Sequence, residues 1–218
     1  MFLEVKDVKK NYAKTDVLKG ISFSVDKGQN LAIVGTSGSG KSTLLYILGA
    51  LEQAEHGKVV LEGVDISNFS DDELALFRNQ FIGFVFQFHF LLPSMNCLDN
   101  TLLPAKIGKH NIKEVKARII KYAIILDVEH CLKKYPFEIS GGEQQRINII
   151  RAISLNPKLL LCDEPTGNLD SVNTQKVIKL LQDLAREINS TLIVVTHDGN
   201  VSDAFDQKIT IEDGQIIS

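Results

Sequence analysis

The run Gly35-Thr36-Ser37-Gly38-Ser39-Gly40-Lys41-Ser42-Thr43 decides the reading of this 218-residue chain. It follows an apolar segment, Leu31-Ala32-Ile33-Val34, and opens into Leu44-Leu45-Tyr46-Ile47-Leu48. That strand–loop–helix setting is what a phosphate-binding loop requires. Glycines let the backbone curl with its N–H groups pointing inward, and the following helix N-terminus adds positive potential for phosphate oxygens. Lys41 is then placed to reach the β- and γ-phosphates of a nucleotide, and the Ser42 hydroxyl to ligate Mg2+. A Gly/Ser-rich turn before a helix is the simpler alternative, but the flanking segments favour a nucleotide site.

A second element narrows the chemistry. Leu159-Leu160-Leu161-Cys162 is a solid apolar run ending in Asp163-Glu164. An Asp at the carboxyl end of a buried strand can hold Mg2+ beside a nucleotide, and an adjacent Glu can orient or deprotonate an attacking water. Two solvated acids at a strand end would look the same if the loop at 35–43 were absent. The run Ile139-Ser140-Gly141-Gly142-Glu143-Gln144-Gln145-Arg146 supplies a further helix start with free N–H groups. Alone it reads equally as a Ser N-cap. Its position, one helix and one turn before the Asp163 strand, favours an anion site.

Composition bounds the class. The chain is 44% hydrophobic and 23% charged, with net charge −3 and pI near 6.0, ordinary for a globular protein. Nothing suggests a basic surface for nucleic acid, so no nucleic-acid partner is expected. No apolar run approaches the roughly 20 residues that cross a bilayer. Met1-Phe2-Leu3-Glu4-Val5-Lys6-Asp7 lacks a basic region followed by an apolar core, which argues against export. Cys97, Cys131 and Cys162 are far apart with no C-x-x-C spacing, which argues against a zinc site or disulfide framework and fits reduced thiols.

Periodicity gives the organisation. The first 35 residues read as strands: Ile21, Phe23 and Val25 alternate with Ser22, Ser24 and Asp26. Lys58–Leu61 offers another strand, and Asp213-Gly214 marks a hairpin turn between 208–212 and 215–217. Ile112, Val115, Ile119, Tyr122 and Leu126 recur at helical spacing behind Asn111, a candidate N-cap. A helix over 143–155 stops at Asn156-Pro157. Another, over 172–189, puts Val177, Leu181, Leu184 and Ile188 on one face before the strand Leu192–Val195. Apolar strands separated by helices imply a parallel sheet covered on both sides. The expected fold class is α/β: a P-loop core with a mixed, largely parallel sheet, an N-terminal antiparallel β-subdomain and a helical subdomain about 88–155, within one domain spanning 1–218.

With these motifs in order, the chain resembles the nucleotide-binding subunit of an ATP-binding cassette (ABC) transporter over nearly all its length. The resemblance implies roles for further residues. Tyr12 resembles the aromatic that stacks on adenine, although a lone Tyr after a strand also reads as surface packing. Gln87 resembles the loop glutamine that contacts Mg2+ and senses the γ-phosphate. His197, in Val194-Val195-Thr196-His197-Asp198, resembles the switch histidine, although a His at a strand end is often structural. Asp170 resembles the aspartate coupling two sites across a dimer. The implied cofactors are ATP and Mg2+, with Ser42, Gln87 and Asp163 as metal contacts and Glu164, His197 and Gln87 as catalytic groups.

The implied assembly is a homodimer in which each ATP lies between one loop 35–43 and the partner's Ser140, Gly141, Gly142 and Glu143. Integral membrane permease subunits complete the complex, on the cytoplasmic face of a bacterial inner membrane. Thr166-Gly167-Asn168-Leu169-Asp170 and Gln87-Phe88-His89-Phe90-Leu91-Leu92-Pro93 resemble a branch of the family that includes lipoprotein-releasing ATPases. Regulation of cell division and export are the alternative roles within it. Phe81, Phe84, Phe86, Phe88 and Phe90 crowd into ten residues. Alternation sends Phe84 and Phe86 to the core and leaves Phe88, Phe90 and Leu91 where the family docks its membrane partner. Asn148 and Ile150 depart from the family's usual small alanines, leaving the packing of that helix open.

Overall fold

A computed structural model describes residues 1–13, 15–167 and 171–218. The N-terminal strands β1 (Leu3–Tyr12), β2 (Thr15–Val25), β4 (His56–Leu61) and β5 (Val64–Asp65) form a 4-stranded antiparallel sheet in the order β2-β1-β4-β5. β1 is central, pairing Leu3 with Val25 on one side and with Leu61 on the other. All three side chains are buried, as the period-2 pattern demands.

The second sheet has 6 strands in the order β10-β9-β3-β8-β7-β6. These are β3 (Asn30–Val34), β6 (Ile82–Val85), β7 (Leu159–Asp163), β8 (Thr191–Thr196), β9 (Gln207–Glu212) and β10 (Gln215–Ile216). β9, β3, β8, β7 and β6 run parallel, and β10 folds back antiparallel on β9. Alternate side chains enter two different cores. Leu159 and Leu161, with Ile193 and Val195, face the N-terminal sheet and helix α1 (Lys41–Leu48). Leu160 and Cys162, with Leu192 and Val194, face the helical side. Continuous apolar strands are therefore read on both faces, as in a covered parallel sheet.

The helical side carries α3 (Cys97–Ile107), α4 (Ile112–Ile125) and α5 (Gly141–Ile153), followed after β7 by α6 (Ser171–Glu187) and, before β9, the short α7 (Gly199–Ser202). Asn111 caps α4, accepting from the N–H groups of Lys113 and Glu114. α5 starts earlier than its apolar spacing predicts. The Ser140 hydroxyl accepts from Glu143 N, and the Glu143 carboxylate accepts from Ser140 N, a capping box that starts the helix at Gly141. On α6 the buried stripe is Ile178, Leu181, Leu184 and Ala185, while Val177 and Ile188 lie half-buried at its margin. Residues 71–81, unassigned by periodicity, form α2 (Asp71–Phe81) behind another capping box, Ser70 with Glu73. Only Leu74 and Phe77 of α2 are buried, so its apolar stripe is too short to register.

The hairpin turn at Asp213-Gly214 takes positive φ at both residues, 45° and 77°, the geometry of a two-residue turn. Its place in the fold makes it more than a connection. Gly214 N donates to Ser39 O at 3.2 Å, and Lys19 N donates to Gly214 O at 2.8 Å. A Cβ at Gly214 would sit 2.4 Å from Val17 O. The turn is thereby wedged between β2 and the loop 35–40, bracing that loop from behind.

Candidate nucleotide site

The carboxyl ends of β3, β6, β7 and β8 converge at one edge of the sheet, where ligands bind in open α/β folds. β3 delivers the loop 35–40, β6 leads to Gln87, β7 ends in Asp163 with Glu164 just beyond it, and β8 ends next to His197. A cleft of about 600 Å³ lies over them. Its walls include Ser37, Gly38, Gly40, Lys41, Ser42 and Thr43 on one side, Gln87, Glu164 and His197 on another, and Tyr12 with Val17 at the β1–β2 end. Sequence reasoning missed Val17, which carries no chemical signal of its own.

Lys41 is buried and its ammonium donates to Thr36 O at 2.7 Å. Burial pulls its pKa down, opposed by the carboxylates of Glu164 and Asp163. Ser39 is buried with an unpartnered hydroxyl, an orphaned polar atom in the wall of the glycine-rich loop. Gly35 runs at φ 155° against Ile211 O, while Thr36 contributes its carbonyl to Lys41. Asp163 is nearly enclosed, accepting from Ser42 Oγ on Oδ1 at 3.1 Å and from Tyr46 on Oδ2 at 3.0 Å. Burial, then Asp163, pushes the Tyr46 phenol up to about 12, so it remains a donor. Tyr46 was legible only as an apolar helix residue. Oxygen donors from Ser42, Asp163 and Gln87 suit a hard cation such as Mg2+.

Glu164 adopts φ 46°, a left-handed conformation that costs a non-glycine residue about 1–3 kcal/mol. Its N–H donates to Val195 O and its carbonyl accepts from Gly167 N, which hold the turn. The carboxylate lies 2.8 Å and 2.9 Å, by its two oxygens, from Nδ1 of the exposed His197. Tyr12 stands at the rim, its hydroxyl on Glu52 and Lys10 Nζ 5.3 Å from its ring centre. Asp170, with Asn168 and Leu169, lies outside the described residues.

Ser140, Gly141, Gly142 and Glu143 do not border this cleft. Both Glu143 oxygens are engaged within the chain, Oε2 with Ser140 and Oε1 with His130 and Cys131. Gly141 and Gly142 are exposed, and nothing among the described residues forbids a side chain there. A Cβ at Gly141 would meet nothing within 4 Å, and one at Gly142 only Arg146 at 3.7 Å. Both glycines border a second cleft of about 570 Å³, reached also by Gln87 and Glu164.

α5 ties these parts together through polar residues whose roles periodicity does not reveal. Gln145 donates to Pro165 O at 3.1 Å, just past Glu164. Asn148, fully buried, donates to Phe86 O at 3.2 Å and accepts from Arg151 at 3.0 Å. Arg151 donates to the carbonyls of His89 and Phe90 at 2.7 and 2.8 Å. Asn148 is therefore part of the packing that its sequence departure left open. Phe84 and Phe86 are only half-buried, stacked on each other at 4.5 Å, because β6 is the sheet edge. Phe88 and Phe90 are exposed at 65% and 62%. Leu91, expected beside them, instead packs half-buried against the helical core, and Leu92 is the exposed leucine.

A glycine-rich loop between a parallel strand and a helix, facing Asp163 and Glu164 from a strand two places away in the sheet, defines a P-loop nucleoside triphosphatase. The profile of the ABC transporter family matches residues 18–167, and the chain belongs to that family as one of its ATP-hydrolysing cassettes. Over 215 residues it is 45% identical to the lipoprotein-releasing system ATP-binding protein LolD of Cytophaga hutchinsonii, covering 99% of this chain and 98% of that protein. The LolD proteins of Aquifex aeolicus and Porphyromonas gingivalis are 43% and 38% identical, over 99% and 100% of this chain and 96% and 100% of theirs. Among solved structures, the dimeric ABC cassette MJ0796 superposes with TM-score 0.90 at 35% identity, covering 99% of this chain and 97% of that one. Its dimeric post-hydrolysis form, bound to ADP and Pi, gives 0.88 at 34% identity, with the same coverage. Among the described residues no helix is long and apolar enough to cross a membrane.

Proposed function

We propose that this chain is the ATP-hydrolysing subunit of a membrane complex that releases lipoproteins from the inner membrane toward the outer membrane. It works as a homodimer bound peripherally to permease subunits at the cytoplasmic face. The observation that carries the reading is full-length likeness to LolD proteins from three organisms, 38–45% identical.

The N–H groups of loop 35–43 and Lys41 bind the phosphates, the lysine exchanging Thr36 O for phosphate oxygens. Tyr12 supports the base at the rim. Ser42, Asp163 and Gln87 would hold Mg2+, which supplies charge neutralisation on the β- and γ-phosphates. Glu164 takes the proton of the attacking water, and His197 holds the Glu164 carboxylate in place. Gln87 and Asp170 report the state of the site to the rest of the assembly.

The dimer completes the site. Gly141 and Gly142 lack side chains although nothing among the described residues requires it, which fits a glycine pair kept open for a phosphate arriving from outside. Donors at the start of α5 in the partner subunit then meet the transferred phosphoryl, where charge spreads in the transition state. ATP favours the closed dimer by binding it better than the separate subunits, and hydrolysis removes that bias.

The test is reconstitution with the membrane partner in lipid vesicles carrying a lipoprotein. ATP-dependent release of lipoprotein, abolished by Lys41→Ala, is the expected result. ATP turnover without release, in a complex whose partner is a cell-division protein, would overturn the assignment.

A further inference from the structure

We propose that His130, Cys131 and Glu143 form a binding site for a zinc-class divalent ion that fastens the turn at 129–131 to the first turn of α5. The inference stands apart from the reading of the nucleotide site. It also reverses what cysteine spacing suggests, because the three ligands come from a His-Cys pair and a glutamate twelve residues later.

The geometry points to it directly. His130 Nε2 lies 2.9 Å from Glu143 Oε1, and Cys131 Sγ lies 3.3 Å from that same oxygen and 3.3 Å from His130 Nε2. Imidazole, thiolate and carboxylate bonded to Zn2+ at about 2.0–2.3 Å are separated from one another by roughly 3–4 Å. Two edges of the triangle, 3.3 Å each, match one face of a zinc polyhedron, and the 2.9 Å edge between His130 and Glu143 needs only to widen by a few tenths of an ångström. Among the described residues it is the one such grouping of three His, Cys, Asp or Glu side chains.

The surroundings support the site. Cys131 is fully buried and His130 is exposed, so the ligands span from core to solvent and leave a fourth position for water. Glu143 needs only Oε1 for the ion, because Oε2 is held by Ser140 N at 2.7 Å and by Ser140 Oγ at 2.6 Å. A ligating carboxylate fixed by hydrogen bonds on its other oxygen is the usual second tier of a metal site. One thiolate and one carboxylate bring two negative charges, which a divalent ion cancels. Binding a divalent ion takes up the Cys131 thiolate and releases its proton.

Position sets the consequence. The first turn of α5 holds Ser140, Gly141 and Gly142, and a bond from Glu143 back to residues 130–131 makes the capping box more rigid without displacing it.

Untagged full-length protein, free of nucleotide, is titrated with Co2+ and then with Zn2+. The expected result is a thiolate-to-cobalt charge-transfer band at one equivalent, displaced by Zn2+ and lost in Cys131→Ser. Zn2+ affinity falls by about tenfold or more in His130→Ala. If Cys131→Ser does not fold, the exposed His130→Ala carries the test through the Zn2+-induced rise in melting temperature, present in the wild type and lost in the variant. No band at saturating Co2+, a band that persists in Cys131→Ser, or equal Zn2+ stabilisation of wild type and His130→Ala would overturn the proposal.

Discussion

Tyr46, one helical turn beyond Ser42, donates to the same carboxylate as Ser42, and together they fix both oxygens of Asp163. Nothing but a tyrosine or a similarly long donor reaches Oδ2 from that turn of α1. The phenol keeps its proton far above neutral pH, so it donates under all working conditions. Tyr46→Phe leaves Oδ2 of a buried carboxylate without that donor. A hydrogen bond to a charged group contributes about 1.5–3 kcal/mol. Chemical denaturation without nucleotide should therefore show a loss of about that size, and a smaller loss with Mg2+ and ATP bound. An unchanged midpoint would remove Tyr46 from the site.

Asn148 joins α5 to the backbone after β6 and positions Arg151 against the carbonyls of His89 and Phe90. Asn148→Ala leaves Phe86 O without its side-chain donor and Arg151 with one acceptor fewer, at a cost of about 2–3 kcal/mol. The melting temperature should fall by about 5 °C or more. Hydrogen exchange should speed up at residues 86–91, while nucleotide still protects the loop 35–43. Unaltered exchange at 86–91 would mean that the carbonyl contacts do not hold this segment.

Phe90 presents its ring beside Phe88, edge-on to Phe86, on a backbone at φ 47° fixed by Arg151. An exposed aromatic pair on a fixed loop suits a protein partner better than solvent. Phe90→Ala should reduce copurification with the membrane subunits by about fivefold or more, with ATP affinity within twofold of wild type. Full copurification would move the docking surface elsewhere.

The placement of the loop 35–43 and of Asp163-Glu164 was legible because each follows a strand of continuous apolar residues. Leu31–Val34 and Leu159–Cys162 announced buried parallel strands, and the residues after them could only lie at the sheet's carboxyl edge. The Ser140 start of α5 was visible as a motif, yet apolar periodicity placed the helix two residues late because Gly141 and Gly142 carry no side chains to count. α2 escaped because Leu74 and Phe77 alone are buried, too few to set a period. The braces escaped for a different reason. Gln145, Asn148 and Arg151 act through carbonyls of residues 86–90 and 165, and a partner's carbonyl leaves no mark in its side-chain identity. Their signal was positional: polar residues at intervals of three along a helix with Ile147, Ile150 and Ile153 fully buried on it. The His130–Cys131–Glu143 cluster was hidden because a 3-10 turn, invisible to helical periodicity, carries its first two members.

The central claim is that two copies of this chain share each ATP, and replacement of Glu164 by Gln tests it most directly. Purified Glu164→Gln protein, saturated with Mg2+ and ATP, is weighed by sedimentation or light scattering. The account predicts a dimer with ATP, a monomer without nucleotide or with ADP, and turnover reduced by about 100-fold or more, as for loss of a general base. A Glu164→Gln protein that binds ATP yet stays monomeric at saturation would contradict it.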